Sequence, residues 1–121
     1  MKSAYVSNVS LSIASSDKTT AVKILDVDSR CRVFQVRYLP AVFGTGDLVG
    51  MDVYSGDPGA SGSLIYALLS GPNMYAVSGY QRISLFSFWD IAPHGILADD
   101  DIYVKGTGMG VNFASITYQL G

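Results

Sequence analysis

The sequence contains no glutamate, and ten aspartates supply all of its acidic side chains. Glutamate favours helices, whereas aspartate and glycine favour turns and tyrosine and valine favour strands. Thirteen glycines and eight tyrosines accompany the aspartates. This composition predicts short strands joined by turns, with little helix.

Charge of either sign is also scarce. Charged residues make up 15% of the chain and hydrophobic residues 49%, whereas soluble domains carry about a quarter charged residues. With so few ionic groups to cover a free surface, we expect part of the surface to be buried against other subunits. The net charge of −2 and the lack of a Lys/Arg cluster argue against nucleic-acid binding, which needs a basic footprint.

Cysteine and long apolar runs are nearly absent. Cys31 is the only cysteine, so no disulfide can form within the chain, and we interpret it as a small buried hydrophobe. The first residues show no apolar block of a signal peptide. The longest apolar run, Leu64 to Leu69, is too short to span a bilayer. We expect a protein made in the cytoplasm, with no membrane partner.

Short strands with turn signals every 8–15 residues run through the whole sequence. This rhythm is typical of an antiparallel β-sandwich or barrel of about eight or nine strands. No linker, repeat or low-complexity tail interrupts it, so we predict one all-β domain over residues 1–121. A strand with Val49, Met51 and Val53 on one face, followed by the turn Ser55-Gly56-Asp57-Pro58-Gly59, gives the clearest local signal.

Two kinds of strand are predicted besides this alternating one. In the segment that ends at Pro40, Phe34, Val36 and Tyr38 share one face. The segments 63–69 and 83–89 are apolar on both faces, which is typical of central strands, although a short helix at 64–69 fits the first of them as well.

The end of the chain predicts two strands, 101–105 and 111–120. Between them, Gly106-Thr107-Gly108-Met109-Gly110 is interpreted as a flexible hairpin connection, because no helix or Lys-Ser/Thr pair follows to make a phosphate loop. The alternation of apolar and polar residues in the last strand changes phase between Phe113 and Ile116. This change predicts a β-bulge near Ala114-Ser115.

The residues that catalysis would need are few. His94 is the only histidine, and Asp90 precedes it by four residues, so a Ser-His-Asp set is arithmetically possible. No G-x-S-x-G elbow supports such a set, and His94 lies in a predicted loop. We therefore predict no catalytic residues and no enzymatic activity.

Asp99-Asp100-Asp101 is the densest acidic stretch. Carboxylates are ligands for Ca²⁺, but adjacent side chains at the start of a strand point alternately up and down, so at most two can converge. A solvated turn that prevents edge-to-edge strand pairing is the preferred interpretation. No metal or cofactor is predicted.

Aromatic side chains are abundant for a domain of this size. Most are expected to fill the core, and the others to form contacts with other subunits or stacking platforms for sugars. The aromatic residues considered are Tyr54, Tyr66, Tyr75, Tyr80, Trp89, Tyr103 and Tyr118.

The last quarter of the chain carries a resemblance. The segment 96–106, with its leucine, acidic turn and Ile-Tyr-Val, is followed by a glycine-rich loop and by an alternating strand that ends in Tyr118-Gln119-Leu120. This pattern resembles the closing strands of small jelly-roll proteins of tailed bacteriophage particles. The resemblance covers about 25 residues closely and the rest in strand rhythm and length.

This resemblance implies a jelly-roll sandwich that acts as a capsid decoration or cement protein, or as another head or tail accessory protein. The expected partners are the major capsid protein and copies of the chain itself, as a trimer or dimer, and the expected location is the virion. The alternative hypothesis is a carbohydrate-binding jelly roll that uses exposed Tyr and Trp side chains as stacking platforms. A cupin-type metalloenzyme is disfavoured, because one histidine cannot supply several imidazole ligands.

Overall fold

The computed structural model describes residues 6–40, 49–70, 87–90, 95–108 and 110–121. This part of the chain forms nine strands and one short 3₁₀ helix, Ser15–Asp17. The strands are β1 (Ser7–Ser12), β2 (Ala21–Leu25), β3 (Cys31–Pro40), β4 (Val49–Ser55), β5 (Ser63–Ser70), β6 (Ser87–Asp90), β7 (Ile96–Ala98), β8 (Ile102–Gly108) and β9 (Val111–Leu120). Among the described residues, no helix is long and apolar enough to cross a membrane.

The strands form two antiparallel sheets. In sheet A the order is β1-β9-β3-β6, and β7 also pairs with β3. In sheet B the order is β2-β8-β4-β5. Because β7 lies beside Cys31–Val33 and β6 beside Gln35–Tyr38, the two short strands together occupy one position at the edge of sheet A.

The pairing follows the path of a folded ribbon. The chain doubles back between β4 and β5, and its two halves run side by side as the pairs β4/β5, β3/β6–β7, β2/β8 and β1/β9. The ribbon then rolls up, so that β9 also pairs with β3 and β8 with β4. This is the jelly-roll arrangement. The predicted all-β antiparallel sandwich of jelly-roll type is confirmed, with nine strand segments in eight positions.

The core lies between the sheets and is built by alternation along each strand. In β4, Val49, Met51 and Val53 are fully buried, as predicted, and Asp52 and Tyr54 are partly exposed. Tyr38 is buried in sheet A and donates its hydroxyl hydrogen to the carbonyl oxygen of Val49 in sheet B, at 3.1 Å. A buried phenol needs such a partner, and this hydrogen bond joins the two sheets across the core.

The predicted face of β3 is wrong at Phe34. The buried residues are Cys31, Val33, Val36 and Tyr38, and Phe34 is only partly buried. Along β9 the partner advances by one residue between Val33 and Gln35, so Phe34 is the extra residue of a β-bulge. The bulge lies where the partner on the other side of β3 changes from β7 to β6.

The bulge predicted near Ala114-Ser115 is also misplaced. Pairing of β9 with β1 is regular from Ser7 to Ser12, and the irregular step in β9 lies at Asn112, opposite the step from Leu39 to Pro40. The alternation in the sequence changes phase here because three consecutive residues, Ala114, Ser115 and Ile116, are all buried.

Ser63–Ser70 is a strand, which excludes the helical alternative, but it is not a central strand of sheet B as the described residues form it. It lies at one edge of sheet B in the described part of the chain. Leu64 is 54% exposed. An apolar residue at this position is therefore not evidence that both faces of the strand are buried. Of the segment 83–89, residues 83–86 lie outside the described residues, and β6 begins at Ser87.

The glycine-rich segment is mostly strand instead of a hairpin loop. Gly106, Thr107 and Gly108 belong to β8 and pair with β4. Since β8 lies in sheet B and β9 in sheet A, the connection crosses from one sheet to the other. The amide of Val111 donates to the carbonyl oxygen of Lys18 at 3.0 Å. A side chain on Gly106 would collide with that same carbonyl oxygen, so glycine is needed there for close packing.

We predict that Gly106→Ala destabilises the fold by about 2–3 kcal/mol, because the new methyl group has no room beside the Lys18 backbone. Gly59→Ala is the matched control, because a Cβ there would meet only the Asp57 carboxylate at 3.3 Å, in an exposed turn. Chemical denaturation of both variants measures the difference. Equal stability of the two variants would contradict the packing at Gly106.

We also predict that removing residues 116–121 prevents folding. The deletion takes away half of β9, which lies between β1 and β3, and with it the fully buried Ile116. Leu120→Ser is the control, because Leu120 is 48% exposed and should tolerate a polar side chain. Circular dichroism and thermal melting distinguish the two. A soluble truncated chain with an unchanged melting temperature would show that this half of β9 is peripheral.

Candidate functional site

Two tyrosines lie side by side on the outer face of sheet B. Burial alternates along β4 and β8, so Tyr54 and Tyr103 point away from the core and are partly exposed. They are direct partners in the β4–β8 ladder. Directly opposite residues in an antiparallel pair have Cβ atoms about 4.5–5.5 Å apart, so the two side chains form one aromatic patch.

The ladder extends this patch across all four strands of sheet B. Lys23 in β2 lies opposite Tyr103, and Leu64 in β5 lies opposite Tyr54. In the row two residues along β4, Lys105 and Asp52 are direct partners. We call these six residues the aromatic face: Lys23, Asp52, Tyr54, Leu64, Tyr103 and Lys105.

The polar groups of the aromatic face hold one another in place. The Tyr54 hydroxyl donates to Asp52 Oδ2 at 3.4 Å. Partial burial raises the pKa of Tyr54, and the Asp52 carboxylate raises it further, so this phenol stays a neutral hydrogen-bond donor at neutral pH.

Lys23 is held by two carboxylates. Its Nζ lies 2.8 Å from Asp26 Oδ1 and 3.7 Å from Asp101 Oδ2. The hydrogen bond to Asp26, followed by the charges of Asp26 and Asp101, raises the pKa of Lys23, which therefore carries its charge at neutral pH. Lys23 is the ladder partner of Tyr103, so it adds a cation at the edge of the patch.

An open groove of about 470 Å³ adjoins the aromatic face and shares Lys105 with it. Its polar lining is supplied by Thr19 and Thr20 before β2, Asp57 in the turn after β4, and Lys105. The Asp57 carboxylate already accepts a hydrogen bond from the amide of Gly59 at 2.8 Å. Hydroxyl, carboxylate and ammonium groups in one open groove suit a hydroxyl-bearing ligand.

The acidic stretch 99–101 serves the structure of the turn. Asp101 Oδ1 accepts from the amide of Val27 at 2.7 Å, Asp100 Oδ1 accepts from the amide of Asp101 at 2.7 Å, and Ser55 donates to Asp99 Oδ1 at 3.3 Å. The three carboxylates thus point to separate partners. Within the described residues, no group of three potential metal ligands comes together.

The outer face of sheet A has a different character. Asn8 Nδ2 donates to Ser115 Oγ at 2.9 Å and to Thr117 Oγ1 at 3.1 Å. On the neighbouring strand β3, Gln35 lies opposite Thr117 and Arg37 lies opposite Ser115. This face is dominated by polar side chains, among which those of Asn8, Ser115 and Thr117 are hydrogen-bonded to one another, whereas the aromatic face of sheet B presents two tyrosines and a leucine.

The remaining sequence predictions have mixed outcomes. Tyr66 and Tyr118 are partly buried and pack against the core, so none of the four described tyrosines on the predicted list is a fully buried core residue. His94, Tyr75 and Tyr80, together with the side chains of Trp89 and Asp90, lie outside the described residues.

Sequence reasoning missed the aromatic face as a set. The correct alternation of Val49, Met51 and Val53 already implied that Tyr54 points outward. What the sequence did not reveal was the pairing of Tyr54 with Tyr103, a residue 49 positions away, and with Leu64 on the other side.

No protein-family model matches the sequence, and no curated protein matches it. Solved structures do match the fold. A chain of the acid-stable capsid of Helicobacter pylori bacteriophage KHP30 has a TM-score of 0.50 at 11% identity, over 99% of this chain and 90% of that chain.

Two further structures are similar at lower scores. The family 32 carbohydrate-binding module of C. perfringens NanJ in complex with galactose has a TM-score of 0.42 at 13% identity, over 94% of this chain and 93% of that chain. The Drosophila NLP core, a pentamer that binds histones, has a TM-score of 0.40 at 10% identity, over 96% of this chain and 98% of that chain. At these identities the likeness concerns the fold alone.

We predict that Tyr54 and Tyr103 are energetically coupled. A double-mutant cycle of Tyr54→Ala and Tyr103→Ala should give a coupling of about 0.2–1 kcal/mol, as expected for aromatic cross-strand partners. Tyr54→Ala combined with Thr117→Ala is the control, because Thr117 lies on the outer face of the other sheet. Denaturant unfolding measures both cycles. Equal coupling in the two cycles would contradict the aromatic pair.

Proposed function

We propose that this chain is a structural virion protein that binds in many copies to a bacteriophage capsid shell and stabilises the contacts between capsid subunits. The observation that carries the proposal is the aromatic face, on which Tyr103, Tyr54 and Leu64 form one patch across three strands of sheet B, with Leu64 exposed and the two tyrosines partly exposed. Its expected partner is the major capsid protein, and its expected location is the virion. In this role the chain has no catalytic function.

The composition of the aromatic face suits a protein interface. Tyrosine is enriched at the centres of interfaces, where it combines a large apolar area with a hydroxyl group, and charged groups belong at the rim. Here two tyrosines and Leu64 occupy one row, and Lys23, Lys105 and Asp52 lie next to them. We infer that burial of the row supplies the affinity and that the three charges fix the orientation.

Binding of this kind stabilises a shell by mass action. A protein that binds the assembled shell, and not its dissociated subunits, stabilises the assembled state by an amount that grows with the logarithm of its free concentration relative to the dissociation constant. Many copies multiply a modest effect per site. The similarity of the fold to a chain of the KHP30 capsid, at a TM-score of 0.50, supports this class of function without identifying the docking site.

The direct experiment is quantitative mass spectrometry of phage particles purified from cells that make this protein. We expect the chain to be present at a fixed ratio to the major capsid protein, with a copy number that matches a symmetry class of the shell. Absence from purified particles would contradict the proposal.

We predict that Tyr54→Ala and Tyr103→Ala each weaken binding to shells about tenfold or more, because truncation of a central interface tyrosine commonly costs more than about 1.4 kcal/mol. Ser12→Ala is the control, because Ser12 is an exposed residue of β1 in sheet A. Co-sedimentation of each folded variant with shells that lack the protein measures binding. Full binding by both tyrosine variants would exclude the aromatic face as the capsid contact.

Carbohydrate binding is a second candidate, favoured by the groove beside the aromatic face. Tyrosine rings stack on sugar rings, and Thr19, Thr20, Asp57 and Lys105 offer polar partners for sugar hydroxyls. A glycan array distinguishes the two functions. Saturable binding that is lost in Lys105→Met but kept in Ser12→Ala would favour the carbohydrate function, and the absence of any binding would favour the structural one.

A further inference from the structure

The turn between β4 and β5 contains the one Asp-Pro peptide bond of the sequence, Asp57–Pro58. The nitrogen of this bond belongs to a tertiary amide and carries no hydrogen. The Asp57 side chain is exposed, and an aspartate carboxylate can reach the carbonyl carbon of its own residue by closing a succinic anhydride ring. The bond therefore has an intramolecular nucleophile beside it.

The carbonyl oxygen of Asp57 accepts two backbone hydrogen bonds. The amide of Ala60 donates to it at 3.0 Å and the amide of Gly62 at 2.8 Å, so two donors serve the two lone pairs of one oxygen. Both distances fall in the range of about 2.7–3.1 Å that is effective in an oxyanion hole. These amides polarise the carbonyl group and stabilise the negative charge that develops on its oxygen when a nucleophile adds to the carbon.

The same turn also positions the nucleophile. Asp57 Oδ1 accepts a hydrogen bond from the amide of Gly59 at 2.8 Å, which turns the carboxylate toward the C-terminal side of its residue, where its own carbonyl group lies. A side chain on Gly62 would collide with the backbone of Gly56 and Asp57. Glycine at position 62 thus lets a backbone donor approach the Asp57 carbonyl closely.

We propose that the folded chain cleaves its own Asp57–Pro58 bond in mild acid. A carboxylate oxygen of Asp57 attacks the Asp57 carbonyl carbon, the C–N bond to Pro58 breaks, and the Pro58 nitrogen takes a proton from solvent acid. Water then opens the cyclic anhydride, which leaves two carboxyl groups on Asp57 and a free secondary amine on Pro58. The reaction consumes one water molecule per chain and does not depend on the proposed capsid function.

The rate rises with acidity because the leaving nitrogen must gain a proton. Two charged side chains from other elements face the turn. Lys105 of β8 lines the same groove as Asp57 and Pro58, and Asp100 Oδ2 lies 3.0 Å from the position that a Cβ on Gly56 would take. The Lys105 cation favours the negative charge that develops in the reaction, whereas the Asp100 carboxylate opposes it, so the pH profile depends on both groups as well as on Asp57.

Cleavage at this bond leaves the sandwich assembled. It separates residues 1–57, with β1 to β4, from residues 58–121, with β5 to β9. Every ladder in the described part of the chain pairs a strand of one segment with a strand of the other: β1/β9, β2/β8, β3/β6, β3/β7, β3/β9, β4/β5 and β4/β8. We expect the two segments to elute together from a sizing column and to separate in denaturant, with a melting temperature that depends on concentration after cleavage.

Intact-mass spectrometry of the full chain tests the reaction. The protein is incubated at about pH 5, within the range where folded proteins are generally most stable, and again at neutral pH. The same chain unfolded in urea at each pH gives the intrinsic lability of an Asp-Pro bond. We expect the masses of 1–57 and 58–121 to appear about tenfold or more faster from the folded chain than from the unfolded one, since a single oxyanion donor contributes roughly 10²–10³-fold in enzymes.

Two matched comparisons assign the roles in the turn. Asp57→Asn keeps the shape of the side chain and an oxygen for the Gly59 amide but removes the carboxylate, so we expect cleavage to be lost. Ala60→Pro removes one donor to the Asp57 carbonyl, whereas Ala60→Gly keeps it, and residue 60 is exposed. We expect Ala60→Pro to cleave about tenfold or more slowly than Ala60→Gly, with circular dichroism confirming that each variant is folded.

Three outcomes would overturn the proposal. Cleavage no faster in the folded chain than in urea would mean that the bond has only the acid lability of any Asp-Pro bond. Cleavage of Asp57→Asn at the parent rate would exclude the carboxylate as nucleophile. Equal rates for folded Ala60→Pro and Ala60→Gly would exclude the paired amides as the source of the acceleration. The comparison of folded and unfolded parent chain stands even if Ala60→Pro does not fold.

Discussion

The pairing of β9 with β3 is the constraint on which the rest of the structure depends. It joins the end of the rolled ribbon to its middle and, together with the β8–β4 pairing, holds the two sheets face to face. Without it, β1 and β9 would remain a two-stranded ribbon with one apolar side in water, and such hairpins are at best marginally stable. The buried positions of β3, β9, β4 and β8 acquire their environment only once this closure is made.

Closure also determines what the two outer faces can do. Among the described residues the core is mainly apolar, with Val, Ile, Met and Ala at most inward positions and the Tyr38 hydroxyl hydrogen-bonded across it. The outward positions differ between the sheets. Sheet A carries hydrogen-bonded amide and hydroxyl groups that already satisfy one another, whereas sheet B carries tyrosine and leucine, whose exposed area is available for burial by a partner. The proposed capsid contact therefore lies on the outside of sheet B.

The fold class could be predicted from the sequence because it depends on local composition and rhythm. The lack of glutamate, the frequent glycines and alternating segments such as β4 all predict short strands. The prediction for β4 is correct because one of its faces is buried and the other is not. Strand β3 was misread because the bulge at Phe34 reverses the parity in the middle of the strand. Strand β5 was misread because an apolar edge strand has the same sequence pattern as a central one.

The site was less predictable than the fold, because it depends on which strands are neighbours. Tyr54 and Tyr103 are unremarkable in the sequence and become one patch only through the β4–β8 register. The acidic stretch at 99–101 stood out in the sequence, yet its carboxylates are used one at a time to hold turns. A cluster of like residues in the sequence is a poor guide to a site in a β-sandwich, because residues that pair across strands are distant along the chain.

The contact between Asn8 and Ser115 has a consequence for how the protein is made. These residues are 107 positions apart, and a ribosome that adds about 5–20 residues per second needs roughly 5–20 s to synthesise the intervening chain. Throughout that interval β1 has no partner strand, and Val9 and Leu11 have no core to enter. Folds dominated by such distant pairings then take milliseconds to seconds to form. The nascent chain is therefore most vulnerable to proteases and misassociation until β9 has left the ribosome, and the outer faces of the two sheets form only after that.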